Sequence, residues 1–161
     1  MKAVMLSIHP KWCGLIARGK KTVEVRKTRP KLETPFKCYI YCTVGGIKRM
    51  PKDYLTESFE RGKVIGEFVC DRIFDISVTE EGYDFDVTKM TGLKYEEMEL
   101  YLNRKTGYGW HISDLVIYDK PKELSDFTGL RKTKFGMEPV SLLRPPQSWC
   151  YAEELSGNSE R

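Results

Sequence analysis

The chain opens with a nearly continuous apolar run, Ala3 to Leu6 with Ile8 after Ser7, and then changes period: Trp12, Leu15 and Ile16 recur at helical spacing behind Pro10. Proline costs nothing in the first turn of a helix, where its missing N–H has no partner, and Gly19 is a natural left-handed stop. The pattern predicts a strand over 2–8 and a short helix that ends at Gly19. Period two returns in Thr22-Val23-Glu24-Val25-Arg26, the alternation of a half-buried strand whose polar trio shares one face.

Further strands are predicted over 36–44, closed by Gly45 and Gly46, over 63–78 in one or two pieces with Gly66 as a bulge, over 110–118 before Lys120 and Pro121, and over 148–153. Tyr95, Met98, Leu100, Tyr101 and Leu102, set among Glu96, Glu97 and Glu99, predict an amphipathic helix over 94–102. Gly107 and Gly109 bracket a turn, and 124–135 reads as a loop carrying Arg131, Lys132 and Lys134 beside Phe135. Many short strands and two short helices describe one β-rich α+β domain over 1–155, a closed or partly closed barrel, with 156–161 as a flexible tail. At 161 residues the chain is long enough to bury one core without metals or disulfides.

Charge sharpens this picture in one place. The net charge is only +4, but seven of the fourteen residues from Arg18 to Lys31 are Lys or Arg, with Glu24 the only acid. A basic segment beside a helix end suits an anion or a polar base edge, whereas paired surface charges contribute little to stability. Lys21, Glu24 and Arg26 read either as a solvent-facing strand with weak ion pairs or as a ligand site, and on the second reading replacing Lys21 and Arg26 with Ala should abolish binding and leave the melting curve nearly unchanged.

Five cysteines with no secretory pattern predict reduced thiols in a cytoplasmic protein. Cys38 and Cys42 share a strand face about 13 Å apart, too far to ligate one metal. His9 and His111 form no local ligand motif, and no glycine-rich phosphate loop follows a strand, so no cofactor or metal is implied. No stretch approaches the roughly 18 apolar residues of a membrane span. His111, beside Trp110 in a strand, reads first as a structural histidine and second as a ligand contact, and Trp12 reads as core or as a stacking wall.

The order strand, SIHPKW, short helix, GKKTVEVRK and strand resembles the ASCH family, through Ser7, Ile8, Pro10, Ile16, Gly19, Lys21, Thr22, Val23, Glu24, Val25 and Arg26. KVIGEFVCD, YGWHISDLVIYDKPKEL and PPQSWCY are also similar to members of the kind found in firmicutes and their phages, so the likeness covers about 2–153. It implies a PUA-like β-barrel with a cleft between the first helix and the sheet, in a superfamily that binds RNA or modified nucleosides.

On that footing Ser7, Trp12, Lys21, Thr22, Glu24, Arg26 and His111 are expected to contact an RNA, nucleoside or nucleotide ligand in a monomer. One branch removes the acetyl group from N4-acetylated cytidine with a lysine, a threonine and a glutamate. Lys21 matches the lysine, but Glu24 stands at the threonine position, and Thr22 lies about 7 Å away along the strand. Glu96, Glu97 and Glu99 are equivalent candidates for the glutamate. Lys21 and Glu24 are therefore the candidate catalytic pair, with deacylation or RNA cleavage as the enzymatic alternative to binding, and a protein-interaction adaptor as a third reading.

Overall fold

The structure, a computed structural model, describes residues 1–44, 61–77 and 85–157. The elements follow as β1 (Lys2–Ile8), α1 (Pro10–Ala17), β2 (Val23–Arg26), β3 (Phe36–Cys42), β4 (Lys63–Ile76), α2 (Phe85–Thr91), α3 (Tyr95–Leu102), β5 (Gly107–Lys122), a 3-10 turn (Leu124–Asp126), β6 (Thr128–Thr133), β7 (Gly136–Ser141) and β8 (Trp149–Glu153). Gly45, Gly46, the far end of the predicted 63–78 strand and residues 158–161 of the tail lie outside the described residues.

The eight strands form one sheet in the order β2-β5-β4-β3-β1-β8-β6-β7, with β1 and β3 parallel and every other pair antiparallel. Covered on both faces, β1 must be apolar at nearly every position, which is why its sequence shows a run and not an alternation. Val4, Leu6 and Ile8 pack with Cys13 and Ile16 of α1 on one side, while Ala3 and Met5 join Tyr39 and Phe127 on the other. Gly66 falls at one of the register shifts that break the β4–β5 ladder into segments.

The α+β architecture is the expected one, with a refinement of the barrel: the sheet curls but does not close. β2 and β7 are its edges, and β5, β4 and β3 separate β2 from β1. The curl nevertheless brings the two ends of that path together. Trp110 of β5 meets Trp149 of β8 edge-on with ring centres 6.0 Å apart, and Arg26 of β2 donates to the Ser7 carbonyl of β1 at 2.8 Å. Side chains thus bridge a gap that no backbone ladder spans.

Three local expectations are corrected. Gly107 and Gly109 do not bracket a turn but begin β5, where a Cβ would stand 2.5 Å from Leu102 and 2.6 Å from the Phe74 ring, so close packing selects glycine. The predicted loop over 124–135 is the 3-10 turn followed by β6, which pairs with β7 as a hairpin; its charged positions face solvent, so no apolar alternation marks it. The strand from Trp110 does not stop at Lys120 and Pro121 but runs to Lys122, which pairs with Val64.

Candidate functional site

The turn after α1 sets the site. The backbone N–H groups of Lys20 and Lys21 both donate to the Leu15 carbonyl, at 2.9 and 3.1 Å, so the chain folds back against the helix end and carries Lys21 inward. Its side chain is 2% exposed. Nζ donates to the Thr91 carbonyl at the end of α2 (2.6 Å) and lies 5.2 Å from the centre of the Trp12 ring. Burial pulls the ammonium's pKa below its ordinary value, and the neighbouring Glu24 works against that pull.

All four residues of β2 are buried. The solvent-facing alternative is therefore excluded: Glu24 is 6% and Arg26 7% exposed, and α2 and α3 pack against the strand. Arg26 is committed to the fold. Beyond Ser7, its guanidinium donates through Nη1 to the Ser148 carbonyl and hydroxyl, both at 3.1 Å, and its Nε lies 3.6 Å from Glu24 Oε1. Glu24 Oε1 also accepts from Val25 N at 3.2 Å, while Oε2 is buried with no hydrogen-bond partner among the described residues.

These groups form the inner wall of a cavity of about 580 Å³, within the roughly 300–1,000 Å³ range of small-molecule sites. Ser7, Trp12, Lys21, Glu24 and Arg26, five of the seven residues expected from the sequence, line it together. Thr22 and His111 do not. His111 stands opposite Val23, out of phase with Glu24, so the pleat turns it to the other face, where Nδ1 meets Asp71 Oδ1 at 2.6 Å. That contact holds the Asp71 carboxyl below its usual range. The Thr22 backbone ties β2 to Met90 and Ile112.

The cavity also includes residues that sequence reasoning passed over or left unranked. Glu97, not Glu96 or Glu99, faces it from the first turn of α3. Its carboxylate accepts from Lys94 N at 3.2 Å and pairs with Lys11 at 3.4 Å. Tyr101 lies one turn further along, and Lys27 stands at the mouth with Nζ 4.9 Å from the Tyr101 ring centre. His9 caps α1, its Nδ1 accepting from Lys11 N at 3.2 Å. With that nitrogen used as acceptor, the neutral ring carries its proton on Nε2.

The arrangement offers a buried acceptor, a buried cation and two aromatic walls. It does not present an activated hydroxyl: Ser7 Oγ donates to the Pro146 carbonyl at 2.6 Å, and burial raises the Tyr101 phenol above its ordinary pKa. Among the described residues no group of three His, Cys, Asp or Glu side chains gathers as a metal site, and no helix is long and apolar enough to cross a membrane. All five cysteines are free thiols, four of them buried.

Residues 6–105 match the ASCH domain family. The crystal structure of the ASCH protein from Zymomonas mobilis superposes with a TM-score of 0.58 at 18% identity, covering 94% of this chain and 88% of that one. Two mutants of the same Zymomonas mobilis protein also align. A tyrosine-to-phenylalanine form gives a TM-score of 0.57 at 18% identity, with 96% and 92% covered. A serine-to-alanine form gives 0.57 at 17% identity, with 94% and 89% covered. At this level of identity the likeness shows a shared fold. No curated protein matches the chain.

Proposed function

This chain belongs to the ASCH domain family, and on that premise we propose that it binds a nucleoside unit, free or within RNA, in the cavity between α1, β2 and α3. The observation that carries this reading is Glu24, a residue of the cavity lining whose carboxylate oxygen Oε2 is buried with no hydrogen-bond partner among the described residues. A buried acceptor left unpaired costs about 1–3 kcal/mol, more when charged, and a ligand donor that meets it recovers that cost. An exocyclic amine or ring N–H of a base supplies such a donor. Arg26 at 3.6 Å and the neighbouring Lys21 offset the carboxylate's charge, and the aromatic rings of Trp12 and Tyr101 in the lining suit a planar ring.

Arg26 lines the same cavity; its Nη1 and Nη2 donors serve Ser148 and Ser7, and its buried Nε, with no hydrogen-bond partner among the described residues, lies beside Glu24. Lys21 and Glu24 also form the pair that would polarise a water for attack on an acylated amine, so one panel separates reader from hydrolase. Unmodified and N-acylated nucleosides are incubated with the protein, with binding followed by thermal shift and product by chromatography. The reading expects a rise in melting temperature with nucleosides that carry a donor edge and no release of acid. Release of a deacylated nucleoside makes the site a hydrolase, and no shift with any nucleoside refutes the proposal.

A further inference from the structure

Two cysteines meet where the first helix folds back on the sheet. Ile8 stands opposite Cys42 in the parallel β1–β3 ladder, and its carbonyl accepts from Thr43 N at 3.0 Å. The same carbonyl accepts from the Cys13 thiol of α1 at 3.5 Å, so Cys13 and Cys42 close on one peptide group from two elements. Both belong to the apolar cluster on the α1 side of the sheet, both are fully buried, and their thiols share a hydrogen bond.

That contact makes the two sulfurs unequal. The hydrogen bond from Cys13, with the charge of Arg61, holds the Cys42 thiol below its ordinary pKa against the pull of burial. Burial, and then the bond to Cys42, push Cys13 well above it. One acidic and one reluctant thiol in contact are a nucleophile and its resolving partner. The other cysteines lack this pairing. Cys38 and Cys70 are diagonal neighbours across the β3–β4 ladder, with Cβ atoms roughly 7 Å apart against the roughly 4 Å of a disulfide. Burial raises Cys38 well above its ordinary value and Cys70 to about 12. Cys150 packs in the cluster on the other face, and burial raises it to about 11. Position favours Cys42 as well, since it closes β3 two residues before Val44, which is 54% exposed. Strand ends open at low cost, and such an opening admits a molecule little larger than water.

We propose that Cys13 and Cys42 form a thiol–disulfide redox site, oxidised by hydrogen peroxide to a bond that ties α1 to β3. The Cys42 thiolate attacks one peroxide oxygen, the O–O bond breaks, and the departing hydroxide takes up the proton that Cys42 released. The products are water and a sulfenic acid on Cys42. The Cys13 sulfur then attacks the sulfenic sulfur: the S–S bond forms, the S–O bond breaks, and hydroxide leaves with the Cys13 proton as a second water. Two electrons pass from the thiols to the peroxide. The loop so closed, residues 13 to 42, contains Lys21, Glu24 and Arg26, so oxidation fastens part of the cavity lining whatever the cavity binds.

The test exposes the reduced full chain to graded hydrogen peroxide, quenches with an alkylating agent and maps every cysteine by mass spectrometry, with dimedone as the trap for sulfenic acid. Wild type, Cys13→Ser and Cys42→Ser are compared, each with a melting curve, and Ala replaces Ser where the buried hydroxyl unfolds the chain. Wild type should form the Cys13–Cys42 disulfide at least about tenfold faster than Cys38, Cys70 or Cys150 is lost. The oxidised protein should melt roughly 5 °C higher or more and return to its first curve with dithiothreitol. Cys13→Ser should carry dimedone on Cys42, and Cys42→Ser should keep Cys13 reduced at the same dose. Oxidation that begins at Cys150 overturns the site, as do five intact thiols at a dose that oxidises free cysteine. Both of these are read on the wild type alone.

Discussion

Replacing Arg26 with Ala should unfold the protein well before it reveals anything about ligand. The guanidinium joins edge strand β2 to the Ser7 carbonyl and to both Ser148 oxygens, across a gap with no backbone ladder, and it is 7% exposed. Each charge-assisted hydrogen bond contributes about 1.5–3 kcal/mol. The three do not add independently, and removing one partner of a buried ionic pair costs about 3–5 kcal/mol. Part of that cost is the Glu24 carboxylate left without its neighbour at 3.6 Å. At about 2–4 °C per kcal/mol for a chain of this size, the melting temperature should fall by roughly 10 °C.

Thermal and urea unfolding of Arg26→Ala, Arg26→Lys, Glu24→Gln and the Arg26→Ala/Glu24→Gln double variant measure this directly. Lysine cannot span Ser7 and Ser148 together and should rescue little. The double variant should be less destabilised than the sum of its parts, because the stranded charge is gone. An Arg26→Ala protein that melts within about 2 °C of wild type would refute the clamp.

Three further outcomes follow from local geometry. Burial, and then the positive charges of Arg61 and Lys11, hold His9 below its ordinary pKa of 6.5. The unfolded chain therefore takes up this proton first, so the His9 contribution is intact above about pH 6.5 and is lost as pH falls below it. His9→Asn keeps a capping side chain without titrating, so melting curves between about pH 7.5 and pH 5 should lose that part of their slope. Gly109→Ala places a Cβ 2.6 Å from the Phe74 ring and should cost about 1–3 kcal/mol in urea unfolding, with Phe74→Leu relieving it in the double variant. Met98, fully buried in the cluster it shares with Val25, should cost about 2–5 kcal/mol as Ala, and faster amide exchange in α3 would mark the loosened cavity wall.

The N-terminal third was readable because its signals are local. The apolar run of β1, Pro10 and Gly19 each act within one or two turns of chain, and Gly19 does adopt a φ of 73°. The alternation in 22–26 correctly marked a strand but misjudged its exposure. Its cover comes from Thr91 and Met98, some seventy residues later, and period two cannot announce a lid from so far along the chain. Glu97 was recoverable in principle. Met98 and Leu102, both buried, fix the inward phase of α3 and put Glu97 and Tyr101 together on the adjoining flank. His9 left a weaker trace, a polar residue directly before the helix-opening proline, and its tautomer emerges only from the backbone it caps.

The hairpin of β6 and β7 shows the opposite limit. Phe127 leads into it fully packed, but beyond Gly129 its side chains stand largely in water, so charge hides the strand period. Gly136, at a φ of 103°, was the one local sign of the turn.

The central claim is that Glu24 Oε2 receives a donor from a nucleoside base. Calorimetric titration of one amine-bearing nucleoside into wild type and Glu24→Gln, with melting curves as a folding control, tests it most directly. A lost charged hydrogen bond of about 1.5–3 kcal/mol predicts roughly ten- to a hundredfold weaker binding in the variant, with the fold intact. Equal affinity in the two proteins would contradict the account, and the Glu24 carboxylate would then have no part in recognition.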